Sequence, residues 1–221
     1  MSVSHHRAPL VAREATPREP PSTSTRILLT CGPLSGLGYV LWHEAAALQW
    51  KGCNRISNAI SELSLAGAPS EPMLDPREGI VYNTLVIAFG VGIWRAAGTS
   101  RALQVIGALH VLSGATAPLW VFFGTASLTA HLVLVGVSVL TWFGSMGFGA
   151  AASGRVFRIY SLVSLLLVEA SFGLTLAYEP AVAAEESTPF IGLEERIGFS
   201  VFFLWQGVLA TGLWRGRADN P

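Results

Sequence analysis

Ionisable side chains inside long apolar stretches are the residues of this sequence that could most plainly do chemistry. His43, His131 and Glu169 each stand in such a stretch, and Glu195 precedes Arg196 at the start of the last one. A charge at bilayer depth costs at least about 2.5 kcal/mol, so membrane proteins turn such groups inward and pair them. Two histidines with a carboxylate can bind a divalent metal that activates water, and a buried glutamate can carry a proton.

A second group of polar residues lies in the longest connection of the chain. In NRISNAISELSLAGAP, apolar residues repeat at helical spacing beside a serine stripe, and Asn58 and Glu62 lie four residues apart. Asn54 is suited to cap a helix there. The pattern predicts a short amphipathic helix that either rests on the outer membrane surface or forms a lid presenting Ser57, Ser61 and Glu62 to a cavity.

Six long apolar stretches must position these side chains. A helix crosses a bilayer with about 20 apolar residues, and the chain is 51% hydrophobic but only 13% charged. Continuous apolar runs lack the strict alternation of barrel strands, so the sequence predicts an all-α polytopic membrane protein, a bundle of six transmembrane helices. The stretches are Ile27 to Leu48, Ile80 to Trp94, Ala102 to Gly124, Leu128 to Ala150, Phe157 to Tyr178 and Gly192 to Trp214.

Basic residues set the expected orientation. Of the fourteen arginines and lysines, ten fall on the side that holds both termini and four on the other side. The positive-inside rule therefore predicts that both termini lie in the cytoplasm. We expect the chain to be integral to the plasma membrane. We expect a disordered cytoplasmic tail over residues 1–26, a transmembrane domain over 27–214 with a long outer loop at 49–79, and a second cytoplasmic tail over 215–221. The zero net charge and the absence of a basic cluster argue against nucleic-acid binding.

The depths of the ionisable residues predict an outward-facing polar pocket. At 1.5 Å per helical residue, Glu169 lies roughly 3 Å from the midplane, His43 about 8 Å and His131 about 12 Å toward the outside. Only His110, about 5 Å to the inner side, departs from this trend, and we interpret it as a packing residue. The predicted pocket residues are His43, Glu44, Ser57, Ser61, Glu62, His131, Glu169, Glu195 and Arg196.

Small residues predict close helix packing. Gly32 and Gly36 form a GxxxG pair in the first span, and His110 shares a narrow face with Gly107 and other small residues. Pro33 and Pro118 are expected to kink the first and third spans.

Four segments together resemble a known family: CGPLSGLGYVLWHE, ISNAISELSLAGAP, VYNTLVIAFGVGIWR and GLEERIGFSVFFLWQGVLATGLWR. The chain is similar over about residues 30–215 to the membrane proteins of domain of unknown function 998, with Ser61 to Leu63 as the clearest landmark. Members also carry a Gly-x-Phe-Pro-x-Asp segment and a histidine at the next helix. Here the corresponding region reads SGATAPLWVFFGTASLTAH, so the acid is missing and the resemblance carries over only His131. The resemblance to this family implies a multi-pass membrane protein but does not imply a particular activity.

Several functions remain open. The first hypothesis is that the pocket binds a lipid headgroup or a small polar solute, with membrane lipids as the general partners. A metal-assisted hydrolase of a lipid-linked substrate is the second, with His43, His131 and Glu169 as metal ligands or base. A proton-coupled transporter and a non-catalytic scaffold complete the set. The sequence has no HExxH or dinucleotide-binding motif and predicts no cofactor, and only the hydrolase hypothesis needs a divalent metal.

Overall fold

The computed structural model describes residues 20–74, 76–123, 127–152, 154–184 and 186–216, and its regular elements in these ranges are all helical. Single turns of 3-10 helix, Ser61–Ser64 and Glu71–Met73, lie in the connection between the first two α-helices, which we call the α1–α2 loop. The α-helices are α1 (Thr23–Gln49), α2 (Pro76–Ala96), α3 (Arg101–Ala115), α4 (Ala117–Phe123), α5 (Leu128–Ala152), α6 (Arg155–Ala177), α7 (Glu179–Ala183) and α8 (Ile191–Trp214).

Five helical stretches of the described chain are long and apolar enough to cross a membrane, judged by length and composition. The prediction of a multi-pass helical membrane protein is confirmed to this extent. Helix α1 is longer than any of the other α-helices but is not among the five, because glycines, serines and the His43–Glu44 pair lower its mean hydropathy. The five stretches are Gly79–Ala96, Arg101–Trp120, Thr129–Ala152, Arg155–Ala183 and Ile191–Trp214.

The long helices form a closed ring in chain order. Helix α1 packs on α2, α2 on α3, α3 on α5, α5 on α6 and α6 on α8, and α8 returns to α1. Sequential antiparallel neighbours of this kind follow from the short connections of the chain after α2. The ring places α1 between α2 and α8, so the start of α8 lies beside the end of α1.

Aromatic rings fill the centre of this bundle. Trp142 of α5 stacks on Phe202 of α8 with a centroid distance of 4.2 Å and an interplanar angle of 11°. Tyr39 of α1 stacks on Phe199 of α8 at 4.9 Å. Trp205 is fully buried and donates its indole N–H to the Ser161 hydroxyl at 2.9 Å. Offset and edge-on ring contacts of this kind stabilise a core beyond the area they bury.

Glycines allow the helices to approach closely, as predicted. A Cβ atom at Gly32 would lie 2.7 Å from the Phe89 ring, and one at Gly36 would lie 2.7 Å from Phe203. On α3, a Cβ at Gly107 would lie 2.7 Å from the carbonyl oxygen of Gly90 on α2. The predicted narrow face of α3 is therefore the face that packs against α2.

The two prolines act differently. Helix α1 continues through Pro33, whereas the predicted third span is divided between α3 and α4 at Thr116, two residues before Pro118. The Thr116 hydroxyl donates to the Ser113 carbonyl at 2.6 Å. Because proline lacks an N–H and crowds the preceding residues, a break at this point is expected.

The α1–α2 loop differs from the predicted amphipathic helix. Residues 54–60 form turns, and the single 3-10 turn Ser61–Ser64 follows. The Ala59 N–H, which a helix would direct to the Arg55 carbonyl oxygen, donates instead to Glu62 Oε1 at 3.1 Å. Asn58 Oδ1 accepts from the Asn54 N–H at 2.8 Å. Polar side chains that bond to nearby backbone compete with helix formation in this way.

We expect Gly107→Ala to destabilise the protein, because its added Cβ would press against the Gly90 carbonyl oxygen and overpacking costs about 1–3 kcal/mol. Gly136→Ala in α5 is the matched control, since a Cβ there meets nothing within 4 Å. Thermal unfolding in detergent should show a lowered midpoint for the first variant and an unchanged or raised midpoint for the second. Equal midpoints would contradict the close α2–α3 contact.

Candidate functional site

Arg196, in the second turn of α8, is the centre of the main polar cluster. Its Nη1 donates to the carbonyl oxygens of Arg55 at 3.0 Å, Asn58 at 3.0 Å and Gly192 at 2.9 Å. Two of these acceptors belong to the α1–α2 loop, so one guanidinium fixes the loop to the start of α8. Gly192 is needed at this contact, because a Cβ there would collide with the Asn58 carbonyl oxygen.

Glu44, near the end of α1, bridges the loop and α8 by charge. Its Oε2 accepts from Arg55 Nε at 2.5 Å, and its Oε1 lies 3.6 Å from Arg196 Nε. The side chains of Arg55 and Glu44 are 40% and 39% exposed, whereas that of Arg196 is only 18% exposed. The hydrogen bond and charge of Glu44 raise the pKa of Arg55 above its usual value, so this guanidinium stays charged.

Two further carboxylates hold the loop backbone. Glu195 Oε2 accepts from the Ile60 N–H at 2.5 Å. Glu62 accepts from the Asn58 amide at 2.7 Å as well as from the Ala59 backbone. Carboxylates that accept backbone N–H bonds form strong charge-assisted contacts. The group that fixes the loop, which we call the loop clamp, consists of Glu44, Arg55, Asn58, Glu62, Glu195 and Arg196.

Apolar contacts and two more hydrogen bonds complete the attachment of the loop. Ile60 is 7% exposed and Leu63 is fully buried. The Ser70 hydroxyl donates to the Leu63 carbonyl at 2.7 Å, and the indole N–H of Trp42 donates to the Met73 carbonyl at 2.5 Å. The loop is therefore held at both of its halves.

Among the predicted pocket residues, the structure brings Glu44, Glu62, Glu195 and Arg196 together in the clamp. His43, one residue before Glu44, stacks on the Tyr39 ring at 3.9 Å, and its Nδ1 donates to the Tyr39 carbonyl at 2.9 Å. Ser57 and Ser61 lie half-buried in the same loop.

Two predicted pocket residues lie elsewhere. His131 meets the Trp120 ring edge-on, with centroids 5.5 Å apart. Glu169 is exposed on α6, while Val168 and Ser171 of that helix are buried. In the part of the chain that the structure describes, no three His, Cys, Asp or Glu side chains are grouped as metal ligands. His43, His131 and Glu169 thus form no such group, and the hydrolase hypothesis stays a prediction from the sequence.

Arg55 and Asn58 are the clamp residues that we did not predict as pocket residues. The i to i+4 spacing of Asn58 and Glu62 is visible in the sequence, where it predicts one face of a helix. Their side chains bond instead to each other and to local backbone. Arg55 gave no signal, because its partner Glu44 lies on α1 and only the fold brings the two together.

Arg196→Met is expected to release the loop, because it removes the two bonds from a charged donor to carbonyl oxygens of the loop. Losing bonds to a charged group costs about 2 kcal/mol, which corresponds to a roughly 30-fold larger open population. Trypsin cleavage after exposed Lys51, followed in the purified protein, should accelerate accordingly. Arg101→Met, which removes an exposed arginine at the start of α3, is the control and should leave that cleavage rate unchanged.

The comparisons with known proteins agree with the family resemblance. The family described as "Protein of unknown function (DUF998)" matches residues 33–212 of the chain. No curated protein and no solved structure matches it. Because the match covers most of the 221 residues, the chain belongs to the DUF998 family of proteins of unknown function.

Proposed function

We propose that the chain crosses the plasma membrane six times, with both termini in the cytoplasm and the loop clamp at the outer surface. The place of α1 in the ring, packed on both α2 and α8, supports a sixth crossing beside the five more apolar stretches. An even number of crossings puts both termini on one side, and that side carries ten of the fourteen basic residues. Trp50, half-buried at the end of α1, suits the headgroup layer.

The two cysteines test this topology. Cys53 lies in the α1–α2 loop and Cys31 lies in α1, and both are free and half-buried. In intact cells, a membrane-impermeant maleimide should label Cys31→Ser protein, which keeps Cys53, and spare Cys53→Ser protein. Labelling of Cys53 that required permeabilised cells would place the loop in the cytoplasm and reverse the topology.

We infer that the loop clamp binds a phosphate-bearing polar headgroup at this surface. The observation that carries the inference is the half-exposed pair of Arg55 and Glu44, which stands at the rim of an otherwise better buried network. A guanidinium binds phosphate through several N–H donors. Arg55 uses Nε for its bond to Glu44, and phosphate would bind to its other N–H groups. A neighbouring carboxylate would complement the ammonium of a zwitterionic lipid.

The clamp network is already organised before any ligand binds. Every clamp side chain is bonded to another clamp residue or to the loop backbone. A ligand would therefore add to an organised surface and would not need to assemble it, which lowers the ordering cost of binding.

Binding can be measured with diheptanoylphosphatidylcholine as the probe, added to protein in a neutral glucoside detergent. We expect the lipid to raise the unfolding midpoint of the native protein, by linkage, and to lose most of this effect with Arg55→Gln. Lys51→Gln, which removes an exposed charge from the same loop, is the control and should respond like the native protein. The same response to inorganic phosphate alone would identify free phosphate as the ligand.

A non-catalytic scaffold is the second candidate, and the mutual pairing of the clamp residues favours it. In that case the clamp only holds the loop. Identical lipid responses of the native protein, Arg55→Gln and Lys51→Gln would then exclude headgroup binding and leave the scaffold.

A further inference from the structure

A second polar centre lies inside the bundle, away from the loop clamp. It is a cavity of about 10 Å³ bordered by helices α2, α3, α5 and α8. A volume of this size accommodates about one water molecule. His110 of α3 and Gln206 of α8 line the cavity together with Ser113, Thr141 and Ser145.

His110 and Gln206 are almost completely buried, with 3% and 1% of their surfaces exposed. In the described part of the chain, Nε2 of His110 and both polar atoms of the Gln206 amide have no hydrogen-bond partner. Buried polar side-chain atoms of native proteins are nearly always satisfied by protein or by ordered water. Three unsatisfied atoms on two residues that share one cavity therefore indicate a binding site for a polar ligand.

The hydrogen-bonding character of the site can be assigned. Nδ1 of His110 lies 2.9 Å from the Ile106 carbonyl oxygen, which only accepts, so Nδ1 carries the proton of the neutral ring. Nε2 then presents a lone pair to the cavity. The Gln206 amide offers both a donor and an acceptor there.

Two hydroxyl groups add acceptors to the same space. Thr141 Oγ1 donates to the Ser138 carbonyl at 2.7 Å, and Ser145 Oγ donates to the Thr141 carbonyl at 2.8 Å. Because their hydrogens are used within α5, their oxygen lone pairs remain as acceptors. Phe202 lies parallel to the His110 ring, with centroids 6.2 Å apart, and gives the site an apolar wall.

We propose that this cavity binds a single water molecule that joins α3, α5 and α8. The water donates one hydrogen to His110 Nε2 and accepts from the Gln206 amide N–H. Its second hydrogen has the Gln206 carbonyl and the two hydroxyl oxygens of α5 as acceptors. Such a ligand satisfies the isolated atoms without introducing a charge into the apolar interior.

An experimental density map that resolves ordered water decides the proposal on the native protein itself. We expect one isolated peak within hydrogen-bond distance of both His110 Nε2 and the Gln206 amide. A direct contact between the two side chains with no such peak would overturn the proposal, and so would a cavity without density.

A double-mutant cycle measures how strongly the water couples the two residues. His110→Phe and Gln206→Met should each destabilise the protein. The double variant should be more stable than the sum of the two single losses predicts, by about tenfold in the folding equilibrium constant. Gln104→Met is the matched control, since Gln104 bonds to the exposed Gly98 carbonyl and should combine additively with His110→Phe. If a variant does not fold, the density of the native protein still decides.

Discussion

In an irregular loop at the end of an apolar bundle, each backbone N–H or C=O group that water cannot reach needs a hydrogen-bond partner from the protein. This requirement governs the α1–α2 loop. Its turns leave the Arg55 and Asn58 carbonyl oxygens and the Ile60 N–H without helical partners. Two consecutive residues of α8 supply the partners instead: the Arg196 guanidinium bonds to the two carbonyl oxygens, and the Glu195 carboxylate bonds to the N–H. Because an unpaired buried backbone group costs about as much as a lost hydrogen bond, these two side chains fix the first half of the loop against α8.

The ring of helices makes that arrangement available. The start of α8 reaches the end of α1 because α8 closes the ring, and Gly192 removes the side chain that would separate α8 from the Asn58 carbonyl oxygen. Glu44 then faces both Arg55 and Arg196. One carboxylate between two guanidinium groups reduces their mutual repulsion, so the charges of three separate elements stabilise one another.

The sequence was most informative where local pattern and tertiary contact agree. Apolar length predicted the helices, and small residues such as Gly32, Gly36 and Gly107 predicted where helices approach, because a missing Cβ has the same consequence in any bundle. Glu44, Glu195 and Arg196 lie together at the end of the bundle to which the sequence assigns most ionisable residues, whereas His131 and Glu169 lie elsewhere. Helical spacing failed in the α1–α2 loop, because periodicity does not reveal that Asn58 and Glu62 bond to backbone amides. The depth of a residue in a span also does not show on which side of the helix it lies. The exposed position of Glu169 therefore could not be predicted from its depth.

The rotation of α6 is fixed by α8, and this limits the chemistry that Glu169 can share with the clamp. Trp205 donates to Ser161 at 2.9 Å, and ten residues further along α6 the Ser171 hydroxyl donates to the Glu194 carbonyl oxygen. Both serines are buried, so two bonds on one face hold the helix at positions about 15 Å apart along its axis. Bringing Glu169 to that face would require α6 to turn and both bonds to break. A mechanism that uses Glu169 together with Glu195 or Arg196 would therefore have to disrupt the same contacts that keep α6 in the ring.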